Sequence, residues 1–189
     1  MAGLIEKHGR REKLDGAQRR GYKSRMIEPP SDEYFMREAL RMAKKAIEAD
    51  EVPVGAVIVH AGKIIGRAYN QIELLKDATA HAEMVALTQA EAAMGDWRLT
   101  DCDLYVTKEP CAMCAGAMVH TRIRRVIFGC ADPGAGAAGS VINLLQMRAF
   151  NHRCNIAPGV LQDDCAAILQ DFFRHKRGTR GNIDPPQTS

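Results

Sequence analysis

The 189-residue chain contains no apolar run approaching the roughly 18 residues that a bilayer-spanning helix requires, so a membrane protein is not expected. Its beginning lacks the succession of basic start, apolar stretch and small-residue cleavage site that marks a secretory leader, and secretion is not expected either. Without an export signal, the six cysteines read as thiols of a reducing cytoplasm rather than a disulfide framework. No internal repeat is present. A strong charge imbalance is absent too, the formal net charge being +3. What the chain has in quantity is apolar residues, 46% of the total, enough to bury one sizeable core. Length alone gives no reason for two domains.

Against that background one constellation stands out: His81-Ala82-Glu83, followed by Pro110-Cys111-Ala112-Met113-Cys114. An imidazole and two cysteines at i and i+3 supply three ligands for a zinc ion. Three protein ligands rather than four leave one position for water, which separates a catalytic zinc from a structural one. Glu83, two residues from His81, is the carboxylate placed to move protons for that water, as general base and then general acid. Two other readings fit parts of the pattern. Cys-x-x-Cys alone suits a redox pair, but that leaves His-x-Glu unexplained. A structural zinc needs a fourth ligand, and His120 or Cys130 would have to provide it without motif spacing. Cys102, Cys130, Cys154 and Cys165 otherwise read as small buried hydrophobes.

His-x-Glu with Pro-Cys-x-x-Cys is the signature of zinc-dependent nucleobase deaminases. The chain resembles the bacterial tRNA-specific adenosine deaminase family well beyond that signature. Similar stretches are Val52-Pro53-Val54-Gly55-Ala56-Val57, Thr79 to Glu83, Tyr105-Val106-Thr107 and Glu109 to Met118. Gly136 to Ser140, Asn151-His152-Arg153 and Asp171-Phe172-Phe173-Arg174 are similar as well. The resemblance implies a three-layer α/β/α cytidine deaminase-like fold around a central mixed five-stranded sheet. It also implies a cytoplasmic homodimer with one Zn2+ per subunit, deaminating adenosine to inosine at the wobble position of a tRNA anticodon stem-loop. Residues matching the family's substrate contacts are Asn70, Val54, the backbone of Ala82, Asp132 and Phe173. Each has an ordinary structural reading beside it. Asn70 can cap a turn, Val54 can begin a buried strand, Asp132 can be a turn residue before Pro133, and Phe173 can be a second core aromatic.

The chain departs from the family at Lys108, where an apolar residue is expected, and in 131–135, which lacks basic residues that some relatives carry. Both departures touch substrate contacts rather than the metal. The zinc motif alone does not choose among adenine, cytosine and guanine, on RNA or as free bases. A catalytically silent RNA-binding subunit is the reading from another class, and the intact Glu83 argues against it. Charge placement favours a phosphate-bearing partner. Residues 1–28 carry eight Lys or Arg against four acids, and further clusters lie at His120 to Arg125 and Arg174 to Arg180.

Without the resemblance, periodicity already gives an α/β layered domain. Residues 1–30 read as a basic disordered extension, 31–177 as the deaminase domain and 178–189 as a disordered tail. Ser31 suits the N-cap of a helix through about residue 49, with Phe35, Ala39, Met42 or Ala43, and Ala46 as its apolar stripe. A hairpin over 55–70 turns at Ala61-Gly62. Helices are expected at 80–94, 110–120, 143–148 and 162–176, with Pro110 at the first position of the second. Strands are expected at 104–107, 125–129 and near Asn155. On the last helix Phe172 is expected inward and Phe173 outward.

Overall fold

The structure is a computed structural model, and it describes residues 30–180. The extension at 1–29 and the chain beyond Arg180 lie outside the described residues. A helix, α1 (Asp32–Glu48), leads into the hairpin β1 (Gly55–His60) and β2 (Lys63–Tyr69), followed by one helical turn, α2 (Ile72–Leu75). Then come α3 (Ala82–Met94), β3 (Cys102–Lys108), α4 (Ala112–His120), β4 (Arg125–Cys130), β5 (Asn155–Pro158) and α5 (Gln162–Arg180).

The five strands form one sheet in the order β2-β1-β3-β4-β5. The first three run antiparallel to their neighbours, whereas β3, β4 and β5 are parallel. The sheet is therefore mixed and five-stranded, as expected. Strand alternation supplies two apolar faces. Ile58, Leu104, Val106 and Val126 pack beneath α3 and α4. Val57, Val59, Tyr105 and Ile127 pack beneath α1 and α5. Two helices on each side complete a three-layer α/β/α arrangement.

Local chemistry explains most boundaries. Ser31 caps α1, its hydroxyl accepting from Tyr34 N–H at 3.3 Å. The hairpin turns on Ala61 (φ 48°) and Gly62 (φ 74°), two consecutive left-handed residues that match the twist of a two-residue turn. Some expectations fail. Residues 72–75, where no element is expected, close a helical turn. Residues 143–148 form turns rather than a helix, because their backbone groups are engaged elsewhere. Leu144 N–H donates to Ala137 O at 3.0 Å, and Leu145 O accepts from Cys154 N–H at 2.9 Å. Finally, α5 continues through Gly178 to Arg180, three residues into the segment read as tail.

Candidate metal centre and active site

Two helix starts build the centre. His81 is the N-cap of α3 and Cys111 the N-cap of α4, and neither uses its side chain for capping. The second of these helices begins later than expected, so Pro110 lies outside it. The Pro110 carbonyl instead accepts from Ala137 N–H at 2.8 Å. Cys114 lies in the first turn of α4. His81 Nδ1 is 3.7 Å from Cys111 Sγ and 3.5 Å from Cys114 Sγ. A tetrahedral zinc ion, with sulfur at ~2.3 Å and nitrogen at ~2.1 Å, spaces its S and N ligands by about 3.6 Å. Both nitrogen–sulfur separations match such an ion, and all three donors lie within 4.8 Å of one another. Among the described residues no fourth donor joins them. Cys130 Sγ points to Thr107 O at 3.5 Å, and His120 is exposed at the far end of α4.

The electrostatics of the cluster follow from its crowding. Hydrogen bonds from the Cys114 thiol and from His81 hold the Cys111 thiol down to about 3, against the effect of burial. His81 is raised in return by its bond to Cys111, burial opposing. Cys114 is raised by donating to Cys111 and by burial. Glu83, in the first turn of α3, is only 4% exposed. Burial pushes its carboxyl up from the ordinary carboxylate range, with its own backbone N–H and His81 working the other way. A carboxyl shifted in that direction suits proton transfer near neutrality. Ala82, between ligand and carboxyl, is fully buried.

The other expected site residues lie on the elements that follow and precede these helices. Asn70 follows β2 and is 5% exposed. Its backbone N–H donates to Val54 O at 3.0 Å, which joins two of the expected contacts directly. The next residue, Gln71, donates to Ala80 O at 2.9 Å, tying the strand end to the His81 segment. Phe173 is exposed on α5, edge-to-face with the more buried Phe172 at 5.4 Å. Both rings line a cavity of about 610 Å³ that also contains Asn70, Lys176 and Arg177. Asp132 is tied to Lys108 by an ion pair at 2.6 Å. Lys108 has the same strand parity as Val106, whose face packs beneath α3 and α4. The departure noted in the sequence thus sits on the metal-bearing side.

Two buried carboxylates escaped the sequence reading. Glu109, 3% exposed, organises the loop after β4. It accepts from Asp132 N–H and Ala138 N–H at 2.9 Å, from Ser140 N–H at 3.0 Å and from the Ser140 hydroxyl. Burial opposes its charge, but these donors prevail and hold it below the ordinary range. Gly136 is required beside it, because a Cβ there would lie 2.4 Å from the Glu109 carboxylate. Glu51, 1% exposed, accepts from Asn70 Nδ2 at 3.1 Å and from Leu74 N–H at 2.8 Å. The available signal was position alone: each acid borders an apolar strand.

Known proteins are similar to this chain in sequence and fold. The profile of the MafB19-like deaminase family matches residues 30–177. A tRNA-specific adenosine deaminase of Bacillus subtilis is 49% identical over 156 residues, covering 80% of this chain and 97% of that one. A chain from structural studies of A-to-I editing by tRNA:A34 deaminases superposes with TM-score 0.69 at 43% identity, covering 71% of this chain and 98% of that one. A guanine deaminase from Nitrosomonas europaea, at 24% identity and TM-score 0.66 over 75% of this chain and 84% of that one, shares the fold alone. With about half of the aligned residues identical to such an enzyme over 80% of its length, this chain belongs to the MafB19-like deaminases and, among them, to the tRNA-specific adenosine deaminase family.

Proposed function

We propose that this protein converts adenosine to inosine at the first anticodon position of a tRNA, consuming water and releasing ammonia. The observation that carries the reading is a buried carboxyl, Glu83, beside a three-donor cluster whose spacing fits zinc. His81, Cys111 and Cys114 hold one Zn2+ per subunit. When bound, zinc supplies a Lewis acid that lowers the pKa of water to about 7. Glu83 accepts a proton from the attacking water and delivers it to the ring nitrogen, then carries the proton of the added hydroxyl to the amine, which leaves as ammonia while that oxygen becomes the carbonyl of inosine. Asn70, Val54 and the Ala82 backbone surround the flipped base, with Asp132 at the rim. Phe173 stacks on a neighbouring anticodon nucleotide beside Lys176 and Arg177, a pairing of ring and cations suited to single-stranded RNA.

The enzyme acts as a cytoplasmic homodimer. Val141, Ile142, Met147 and Phe150 support this reading, being apolar side chains exposed together in one loop segment. Ala115 and Met118 of α4 are buried in the core of the subunit itself. Among the described residues, no helix is long and apolar enough to cross a membrane.

The test is incubation with a tRNA carrying adenosine at the first anticodon position, with inosine measured by mass. Glu83→Ala is expected to retain zinc and to make no inosine. Normal turnover by that variant would remove Glu83 from its role, and RNA binding without inosine from the unsubstituted protein would sink the reaction itself.

A further inference from the structure

Glu51 is a buried acid that the chemistry above does not use. Its backbone N–H is fixed to Ala46 O at 2.9 Å, at the end of α1. Its two oxygens then bind different elements, Oε1 taking Leu74 N–H of α2 and Oε2 taking the Asn70 amide nitrogen. An ionised carboxylate accepts hydrogen bonds and donates none. The Asn70 side chain therefore has no choice of orientation: Nδ2 faces Glu51 and Oδ1 faces away. An asparagine amide free of such a partner presents its oxygen and nitrogen interchangeably. Here the end turned from Glu51 is fixed as a hydrogen-bond acceptor, at the edge of the cavity that both residues line.

We propose that Glu51 is a specificity-determining positioning residue, locking Asn70 so that the site offers an oxygen, and only an oxygen, to a donor of the bound nucleotide. The proposal rests on the reading of Asn70 as a substrate contact. Glu51 itself touches no substrate; it acts through Asn70. The second bond, to Leu74, anchors the α2 turn and keeps the carboxylate from rotating.

The test uses the full chain, an anticodon stem-loop RNA and the variants Glu51→Gln, Asn70→Asp and their combination. In Glu51→Gln the amide oxygen must still receive Leu74 N–H, so its nitrogen faces Asn70. Asn70 then turns to accept, and a donor meets the substrate where an acceptor stood. KM is expected to rise about tenfold, the scale of one lost and one mispaired hydrogen bond. In the combined variant the introduced glutamine donates to the introduced aspartate, whose other oxygen again faces the substrate. KM is then expected to return to within roughly threefold of the original value. Asn70→Asp alone sets two carboxylates together and is expected to be the worst of the three.

A Glu51→Gln protein with lowered thermal midpoint but unchanged KM would overturn the proposal in favour of a merely structural bond. So would a combined variant no better than Glu51→Gln. The combined variant keeps every hydrogen bond of the pair and decides the matter should Glu51→Gln fold poorly. Asn70→Ala separates the layers of the argument: an unchanged KM there would refute the substrate contact itself, before Glu51 is in question.

Discussion

Cys111 and His81 begin two different helices, and their donor atoms meet 3.7 Å apart. Each helix start leaves backbone N–H groups without intrahelical partners and carries partial positive charge. That field favours thiolate over thiol, and two such fields converge on the cluster.

Metal loading of the stripped protein is therefore expected to release protons. Cys114, raised by its bond to Cys111 and by burial, gives up its thiol proton to become a ligand. His81, also raised, must be neutral to bind. Affinity is expected to fall as pH falls. Zinc titration in weakly buffered solution, with proton release read by an indicator, checks both statements. Cys114→Ser is expected to lose the metal under conditions where Glu83→Ala retains it.

Lys108 holds Asp132 at 2.6 Å, with its own side chain 34% exposed. Replacement by methionine removes a cation from the rim without disturbing the core, and stability is expected to change by less than about 1 kcal/mol. RNA affinity is expected to weaken, and the slope of log affinity against log salt to fall by about one. Binding measured at several salt concentrations decides this. An unaltered slope would mean that the ion pair serves only the loop.

Glu109→Gln keeps the shape of the side chain but turns one acceptor into a donor facing N–H groups. The cost is expected to be about 1–3 kcal/mol, read as a lowered thermal or denaturant midpoint. The pH dependence follows from the direction of its shift. Because the folded protein holds this carboxyl below its ordinary range, its contribution is complete above that range. It disappears as pH falls through the lower, folded value. Glu109→Gln should flatten that acid limb, and an identical acid profile for both proteins would contradict the assignment.

Gly136→Ala places a methyl group 2.4 Å from the Glu109 carboxylate, far inside contact distance. The loop must shift or the carboxylate must leave its donors. Destabilisation of about 1–3 kcal/mol is expected. Combining it with Glu109→Ala, which removes the clashing atoms, should cost less than the sum of the two single changes.

The donors of the metal cluster were legible in the sequence because their chemistry depends on residue type and short spacing. His81, Cys111 and Cys114 needed only two helix starts to converge. The sheet was legible because its strands alternate or run apolar between turn residues, as at Ala61-Gly62. What stayed hidden depends on partners distant in the chain. Residues 143–148 have helical periodicity, yet Leu144 and Leu145 bond to Ala137 and Cys154 instead. Glu51 and Glu109 look like surface acids in sequence, since nothing local reveals that each is enclosed by donors from other elements. Pro110 satisfied a helix-start rule, but the same rule also suits a residue just before the cap.

The Glu109-Pro110-Cys111 tripeptide holds the anchor of the 132–140 loop at one end and a metal donor at the other, while the middle carbonyl grips Ala137. On the proposed function, retention of the zinc and the shape of the rim that meets the RNA share one short rod of backbone. Chelation should unfasten the rim as well as the ion, and deuterium should enter amides 136–140 faster in the stripped enzyme than in the loaded one.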